Sequence, residues 1–407
     1  MKKEAHSLSI RWFYLAVGVV AMLFAGIIYG WSILRAPLEE AFHWSLAETG
    51  LTFTLTMSFF CIGAFAGSII SKRIGTKASV VSAGLVAAAG LFLTSTLSGS
   101  IVMLNIYYGA LSGLGIGVAY NVMLSTISAW FPDKKGLCSG VLLMGYGASS
   151  LVLGKAAGIL IQSPDFGWRF AFRFLGVSVG AVLVIAGLTL RMPPADTVFP
   201  KAENGRSANG TDSISEDFTT AEMIRRPTFW RAFLCIVFLA AVGSSVISFA
   251  SQLSQSVGAG VELATTLVGV LSICNGFGRI FTGAMFDSLG CRKTMICANV
   301  LTIAASGVTL ISVLITSLPL CIIGLCLTGM SFGACPTITS AFTSAFYGAK
   351  HFSMNFSIMN FNLMGASFLV TASSALFTAT GGYLAPFIML LALSVIALGL
   401  NVSIRKP

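Results

Sequence analysis

Two positively charged residues, Arg279 and Lys155, sit inside long apolar runs of this chain: Arg279 in LSICNGFGRIFTGAMFDSLGCR (271–292), Lys155 in GASSLVLGKAAG (147–158). A charge at bilayer depth costs about 2.5–3.5 kcal/mol on insertion scales, so it needs a partner or a wet cavity. The guanidinium of Arg279 is a planar, permanently charged fork that suits a carboxylate. All 14 acidic residues fall in loops or at the ends of the predicted helices, so the sequence offers neither cation a carboxylate at its own depth. An anionic ligand would supply the counter-charge. The plainer alternative for Arg279 is bonding to helix carbonyls. For Lys155 it is snorkelling to the outer interface.

Other polar groups accompany these cations. Asn275 stands one helical turn before Arg279, and Asn360 and Asn362 interrupt the run FSMNFSIMNFNLMGASF. Tyr29, Trp31, Tyr120 and Asn121 lie on apolar runs of the first half. Each could touch a ligand or simply pack, and Trp31 could anchor at an interface. Enzyme chemistry in the bilayer would need a base or nucleophile pair. His6, His43 and His351 all lie near predicted helix ends, and no acidic dyad exists. Nine cysteines fall in predicted helices or at their cytoplasmic ends, without CxxC spacing or histidine company, so neither a disulfide framework nor a metal site is expected. Gly113, Gly115 and Gly117 follow no strand; they read as close helix packing, not as a phosphate loop. No cofactor is expected.

The elements that must position these groups are membrane helices. The chain is 56% hydrophobic and 9% charged, against roughly 25% charged in soluble domains. Twelve runs are long enough to span: 11–34, 45–70, 78–97, 101–130, 135–161, 167–190, 228–250, 262–286, 293–315, 318–345, 352–377 and 382–403. The first is too long for a signal-peptide core and is read as a retained helix. The polar, Gly/Ser/Asn-rich stretch 191–227 reads as a linker, so the expected partition is 1–190, 191–227 and 228–407. With the N-terminus inside, most of the 24 basic residues fall on inner segments. Both termini are therefore expected in the cytoplasm, and the sequon at Asn209 is then not glycosylated. The formal charge of +10 thus reports topology and not a nucleic-acid partner. The halves also repeat. Gly113-Leu-Gly-Ile-Gly117 aligns with Gly329-Met-Ser-Phe-Gly333, Trp130-Phe131 with Phe346-Tyr347, and Gly147-Ala-Ser149 with Gly365-Ala-Ser367.

Gly283-Ala-Met-Phe-Asp287-Ser-Leu-Gly290-Cys-Arg292-Lys293 resembles the loop motif of the major facilitator superfamily. The resemblance implies that Asp287 and Arg292 pair to brace the inner face. The first-half counterpart departs from the motif, with Ser68 for Gly and Lys72 for Asp. A narrower likeness, carried by Gly113 to Gly147, Tyr29-Gly-Trp31, Pro37, Gly167-Trp168-Arg169 and Arg279, is to the oxalate/formate antiporter family, related to monocarboxylate transporters. It implies that Arg279 binds a substrate carboxylate. It also implies that Tyr29, Tyr120 and Asn121 lie on cavity-lining helices. The helix-eleven lysine of oxalate carriers is absent, with Asn360 and Asn362 in that region, and Asn275 stands where proton-coupled relatives carry Asp.

The expectation is an all-α membrane protein of twelve transmembrane helices in two pseudo-symmetric six-helix bundles. It would be a monomeric, multi-pass protein of the cell membrane that carries a small mono- or dicarboxylate by exchange or uniport. A proton-coupled monocarboxylate symporter and a transport-inactive sensor are the alternatives. The expected ligand contacts are Arg279, Lys155, Tyr29, Tyr120, Asn121, Asn275 and Asn362.

Overall fold

The computed structural model describes residues 2–194, 197, 199 and 217–404. The Asn209 sequon, most of the linker and the basic tail at 405–407 lie outside the described residues.

The helices are α1 Lys2–Ala25, α2 Trp31–Phe42, α3 Leu46–Thr94, α4 Ile101–Leu104, α5 Gly113–Ser128, α6 Lys135–Ser149, α7 Lys155–Gln162 and α8 Gly167–Thr189 in the first unit. In the second they are α9 Thr220–Arg225, α10 Pro227–Ser256, α11 Val261–Leu289, α12 Cys291–Leu314, α13 Leu318–Tyr347, α14 Phe352–Met359, α15 Asn362–Thr380 and α16 Leu384–Val402. The chain divides into compact units at 1–210 and 211–407. Among the described residues no strand occurs and eleven helical stretches are long and apolar enough to cross a membrane. One of them, α3, holds two of the expected spans, joined at Gly75 with φ 80° and ψ 167°. The twelve apolar runs are thus all helical. With no water in the hydrocarbon core, backbone groups must bond within their own segment, and helices do this.

Several boundaries depart from the sequence reading. The first span continues through a 3-10 stretch, Gly26–Gly30, into α2 and ends at Phe42, not Leu34. Trp31 is therefore an interior residue, 3% exposed, whose Nε1 donates to Thr49 O at 3.1 Å. It anchors no interface. The linker's far end is also folded. Thr219 caps α9 through a reciprocal pair with Glu222, and Phe218 N donates to Tyr347 O at 3.2 Å.

The repeat appears in the backbone itself. Gly75 and Gly290, about 215 residues apart, adopt the same positive-φ conformation (80°, 167° and 80°, 170°). L-residues with a Cβ rarely take this geometry, so glycine holds each turn between consecutive spans. A second shared device is a Gly-x3-Gly seam. Cβ-sized groups at Gly113 and Gly117 would strike the carbonyls of Thr56 and Phe60; at Gly329 and Gly333 they would strike those of Leu271 and Asn275. Small residues let these backbones touch where lipid gives no hydrophobic drive.

Candidate functional site

In the second unit the site grows from α11. Its exposed stripe is Ile273, Phe277 and Phe281, and its buried stripe is Leu271, Asn275, Arg279 and Thr282. A spacing of four places Asn275 and Arg279 on one face, one above the other. The Gly329–Gly333 seam presses α13 against that face, and Gly278 of α11 meets Met330 O from the other side. The result is an arginine 1% exposed, the bulkiest of the fully buried side chains.

Such a group must be bonded, because an unsolvated guanidinium costs several kcal/mol. Arg279 Nε donates to Asn275 Oδ1 at 3.0 Å, and its backbone carbonyl accepts from Thr337 Oγ1 at 3.4 Å. Thr337 follows Pro336, which lies inside α13 and removes one backbone donor there. The clamp on Nε fixes the plane of the fork. An arginine fork can grip a carboxylate bidentately through two parallel N–H donors.

Asn362 is 1% exposed, but its amide donates to Met359 O at 2.6 Å and to Thr339 Oγ1 at 3.5 Å. These bonds close the break between α14 and α15. Asn360, 1% exposed, sits in the same break. Asp287 and Arg292 are both exposed at one end of the unit. Arg292 Nη2 donates to Val402 O at 3.5 Å, so the arginine of the motif also ties α12 to the end of α16.

In the first unit the sequence candidates form an aromatic cluster. Tyr29 meets Tyr146 edge-on at 5.3 Å, and Tyr120 meets both Tyr146, at 5.1 Å, and Phe60, at 5.0 Å. Tyr120 and Asn121 are buried at 2% and 0%, and Tyr29 is half-buried. Tyr146 is the member the sequence reading missed. Its one signal was a bulky polar-tipped ring between Gly145 and Gly147. Gly145 gives the close approach, since a Cβ there would lie 2.5 Å from Val19 O. Lys155 begins α7 directly after a π-helical turn, Ser150–Gly154, and is exposed. π-turns within helices occur often at functional positions. Lys155 takes part in neither the Arg11–Asp133 nor the Arg35–Glu39 ion pair. Among the described residues no group of three or more His, Cys, Asp or Glu could hold a metal.

Two repeated units of membrane-crossing helices, one enclosing a clamped arginine, define a multi-pass membrane protein of the transporter type. The chain belongs to the Major Facilitator Superfamily, whose model matches residues 13–251 and again 233–406. It is similar to the oxalate:formate antiporter of Oxalobacter formigenes, 26% identical over 70% of this chain and 65% of the antiporter, so the match spans slightly under two thirds of that relative's length. It is also similar to an MFS-type transporter of Escherichia coli, YhjX (26% identity; 86% and 84% covered), and to rat monocarboxylate transporter 12 (23%; 88% and 77%). The solved proton:xylose symporter XylE shares the fold, with TM-score 0.74 at 12% identity over 97% of this chain and 96% of that one. The E. coli fucose:proton symporter FucP does so with TM-score 0.67 at 13% identity, covering 97% and 98%.

Proposed function

We propose that this transporter carries a small organic anion, a mono- or dicarboxylate, with Arg279 as its principal carboxylate ligand. The observation that carries the reading is the Asn275 clamp. A guanidinium enclosed in an all-helical unit and held by Nε is oriented before the ligand arrives, which lowers the cost of binding. Relatives named for oxalate:formate exchange and for monocarboxylates support the substrate class. Tyr29, Tyr120 and Asn121 would shape the ligand's surroundings, and Lys155 would add a second positive charge favouring dicarboxylates. Asn275 and Asn362 act here by positioning their neighbours. Asp287 and Arg292 brace one end of the second unit, which lies on the cytoplasmic side if both termini are inside.

The proposed mode is exchange or uniport by alternating access. A proton symporter needs a pathway group that binds and releases protons, usually a carboxylate or histidine. Arginine does not release its proton in proteins, and an asparagine stands beside it. The test is counterflow of radiolabelled mono- and dicarboxylates in proteoliposomes, with external pH followed in parallel. Counterflow without alkalinisation is expected. No counterflow with any carboxylate would favour a transport-inactive sensor. Stoichiometric proton uptake with no internal anion would overturn exchange, and its loss in Lys155→Met would make Lys155 the coupling residue.

A further inference from the structure

At one end of the second unit, two arginines from different helices converge on the end of a third. Arg231, one turn into α10, donates through Nη1 to Ser403 O at 2.9 Å. Arg292, at the start of α12, donates through Nη2 to Val402 O. With Val402 and Ser403 they line an open cleft of about 580 Å³, within the range of roughly 300–1,000 Å³ typical of small-ligand sites. Helix-end carbonyls carry partial negative charge and draw cations, but each arginine uses only one of its five N–H donors on them. Two exposed positive charges at one helix end raise the local positive potential and favour an anion beside them.

The surroundings indicate which anion. Trp230 and Leu234, beside Arg231 on α10, are 50% and 40% exposed, and Val402, in the cleft wall, is 53% exposed. Leu289, just before Arg292, is 47% exposed. Trp230 is fixed by its Nε1 bond to Ile224 O at 2.9 Å. A tryptophan with a bonded polar edge beside exposed aliphatic groups marks the headgroup level of a bilayer. A cationic cleft opening there meets lipid phosphates as well as dissolved ions. The first unit serves as an internal control: about 215 residues upstream of Arg231 and Arg292 stand Ala16 and Lys77, which do not make a pair of arginines.

We propose that the Arg231–Arg292 cleft is a binding site for the phosphate of an anionic phospholipid, which staples α10, α12 and α16 together at the membrane surface. Basic pockets between membrane helices bind such headgroups, and a ligand that binds only the folded state raises its melting temperature.

The experiment uses the full chain purified in detergent and probed with phosphatidylglycerol, phosphatidylcholine or inorganic phosphate. Native mass spectrometry reads retained lipid and thermal unfolding reads stabilisation. Phosphatidylglycerol should raise the midpoint by about 3–5 °C and remain bound, whereas phosphatidylcholine and phosphate should do neither. The double variant Arg231→Gln/Arg292→Gln should lose both effects, and Lys293→Gln, a charge outside the cleft wall, should keep them. If the double variant does not survive purification, Arg231→Lys/Arg292→Lys keeps the charge, loses the planar fork and should show a reduced shift. An undiminished response in these variants, or equal stabilisation by phosphatidylcholine, overturns the site. A full response to inorganic phosphate alone overturns the lipid assignment.

Discussion

The Gly-x3-Gly seam of the first unit and that of the second are the same backbone device with different chemistry beside it. Gly113 and Gly117 rest on Thr56 and Phe60; Gly329 and Gly333 rest on Leu271 and Asn275. The position that is Asn275 in one seam is Phe60 in the other, and one turn further on Arg279 corresponds to Ala64. Phe60 feeds a cluster of Tyr120, Tyr146 and Tyr29. Asn275 feeds a cation. Repetition therefore carries the packing, and the asymmetry between the halves carries the charge.

The largest expected effect comes from removing that asymmetry. Arg279→Ala should cut carboxylate affinity by about 30–150-fold, the loss of a charged hydrogen-bonded contact of about 2–3 kcal/mol. Arg279→Lys keeps charge without the fork and should lose about tenfold. Counterflow kinetics on folded, monodisperse protein read both. Wild-type transport by Arg279→Ala would break the comparison at its centre.

Next in size is the seam itself. Gly117→Leu and Gly333→Leu should each destabilise their unit by about 1–3 kcal/mol, because the added side chain meets backbone that cannot rotate away. Equal losses in thermal unfolding would confirm a common scaffold. The two variants should differ in function, since only Gly333 lies against the Arg279 face, where a Cβ would come within 3.0 Å of Arg279 N. A small shift there misaims the fork.

Much of this was legible in the sequence. The apolar runs give the helices, the i, i+4 spacing gives Asn275 below Arg279, and the glycine pairs give the seams. Other features were not legible, for physical reasons. Pro37, Glu39 and Glu40 read as a stop after Leu34, yet Glu39 accepts a hydrogen bond from Thr49 and the helix runs on. Tyr146 joins Tyr29 to Tyr120 only through tertiary packing, which has no local signal. The helix at the linker's end did have one, the capping-box spacing of Thr219 and Glu222, hidden within a polar stretch. The resemblance pairs Arg292 with Asp287; its further bond to Val402 is a contact across 110 residues that spacing cannot reveal.

A smaller effect separates the two cations of the apolar runs. Arg279 is enclosed and clamped, whereas Lys155 is exposed behind a π-turn. Lys155→Met should lower dicarboxylate affinity by about tenfold, one solvated charge–charge contact. Monocarboxylate uptake should be unchanged. If both substrates are untouched, Lys155 snorkels and the protein handles single carboxylates.

The two seams also end differently. In the first unit Trp130 donates to Arg191 O, and Arg11 lies over Phe131 while pairing with Asp133 at 2.9 Å. In the second, Gly348-Ala349-Lys350 supplies no acid. Asp217 of the linker fills the gap, accepting from Lys350 N at 3.1 Å, while Arg226 lies over Phe218. The linker thus completes in the second unit what the first builds from its own loop. Asp133→Asn weakens the partner of a largely buried arginine and should cost about 2 kcal/mol. Asp217→Asn keeps an acceptor in an exposed place and should move the thermal midpoint by under about 1 °C. Its consequence should be local: faster amide exchange across 217–226. Acid should act alike. Two hydrogen bonds from Thr219, first from its N–H and then from its hydroxyl, hold the Glu222 carboxyl below its ordinary range. A carboxyl with a lowered folded pKa stabilises above its ordinary value and loses that stabilisation as pH falls through the lowered one. Exchange protection across 217–226 should therefore be flat near neutrality and fall only in acid. A wide loss of protection through α13 on Asp217→Asn would show that the linker holds up the second unit and does not merely dock on it.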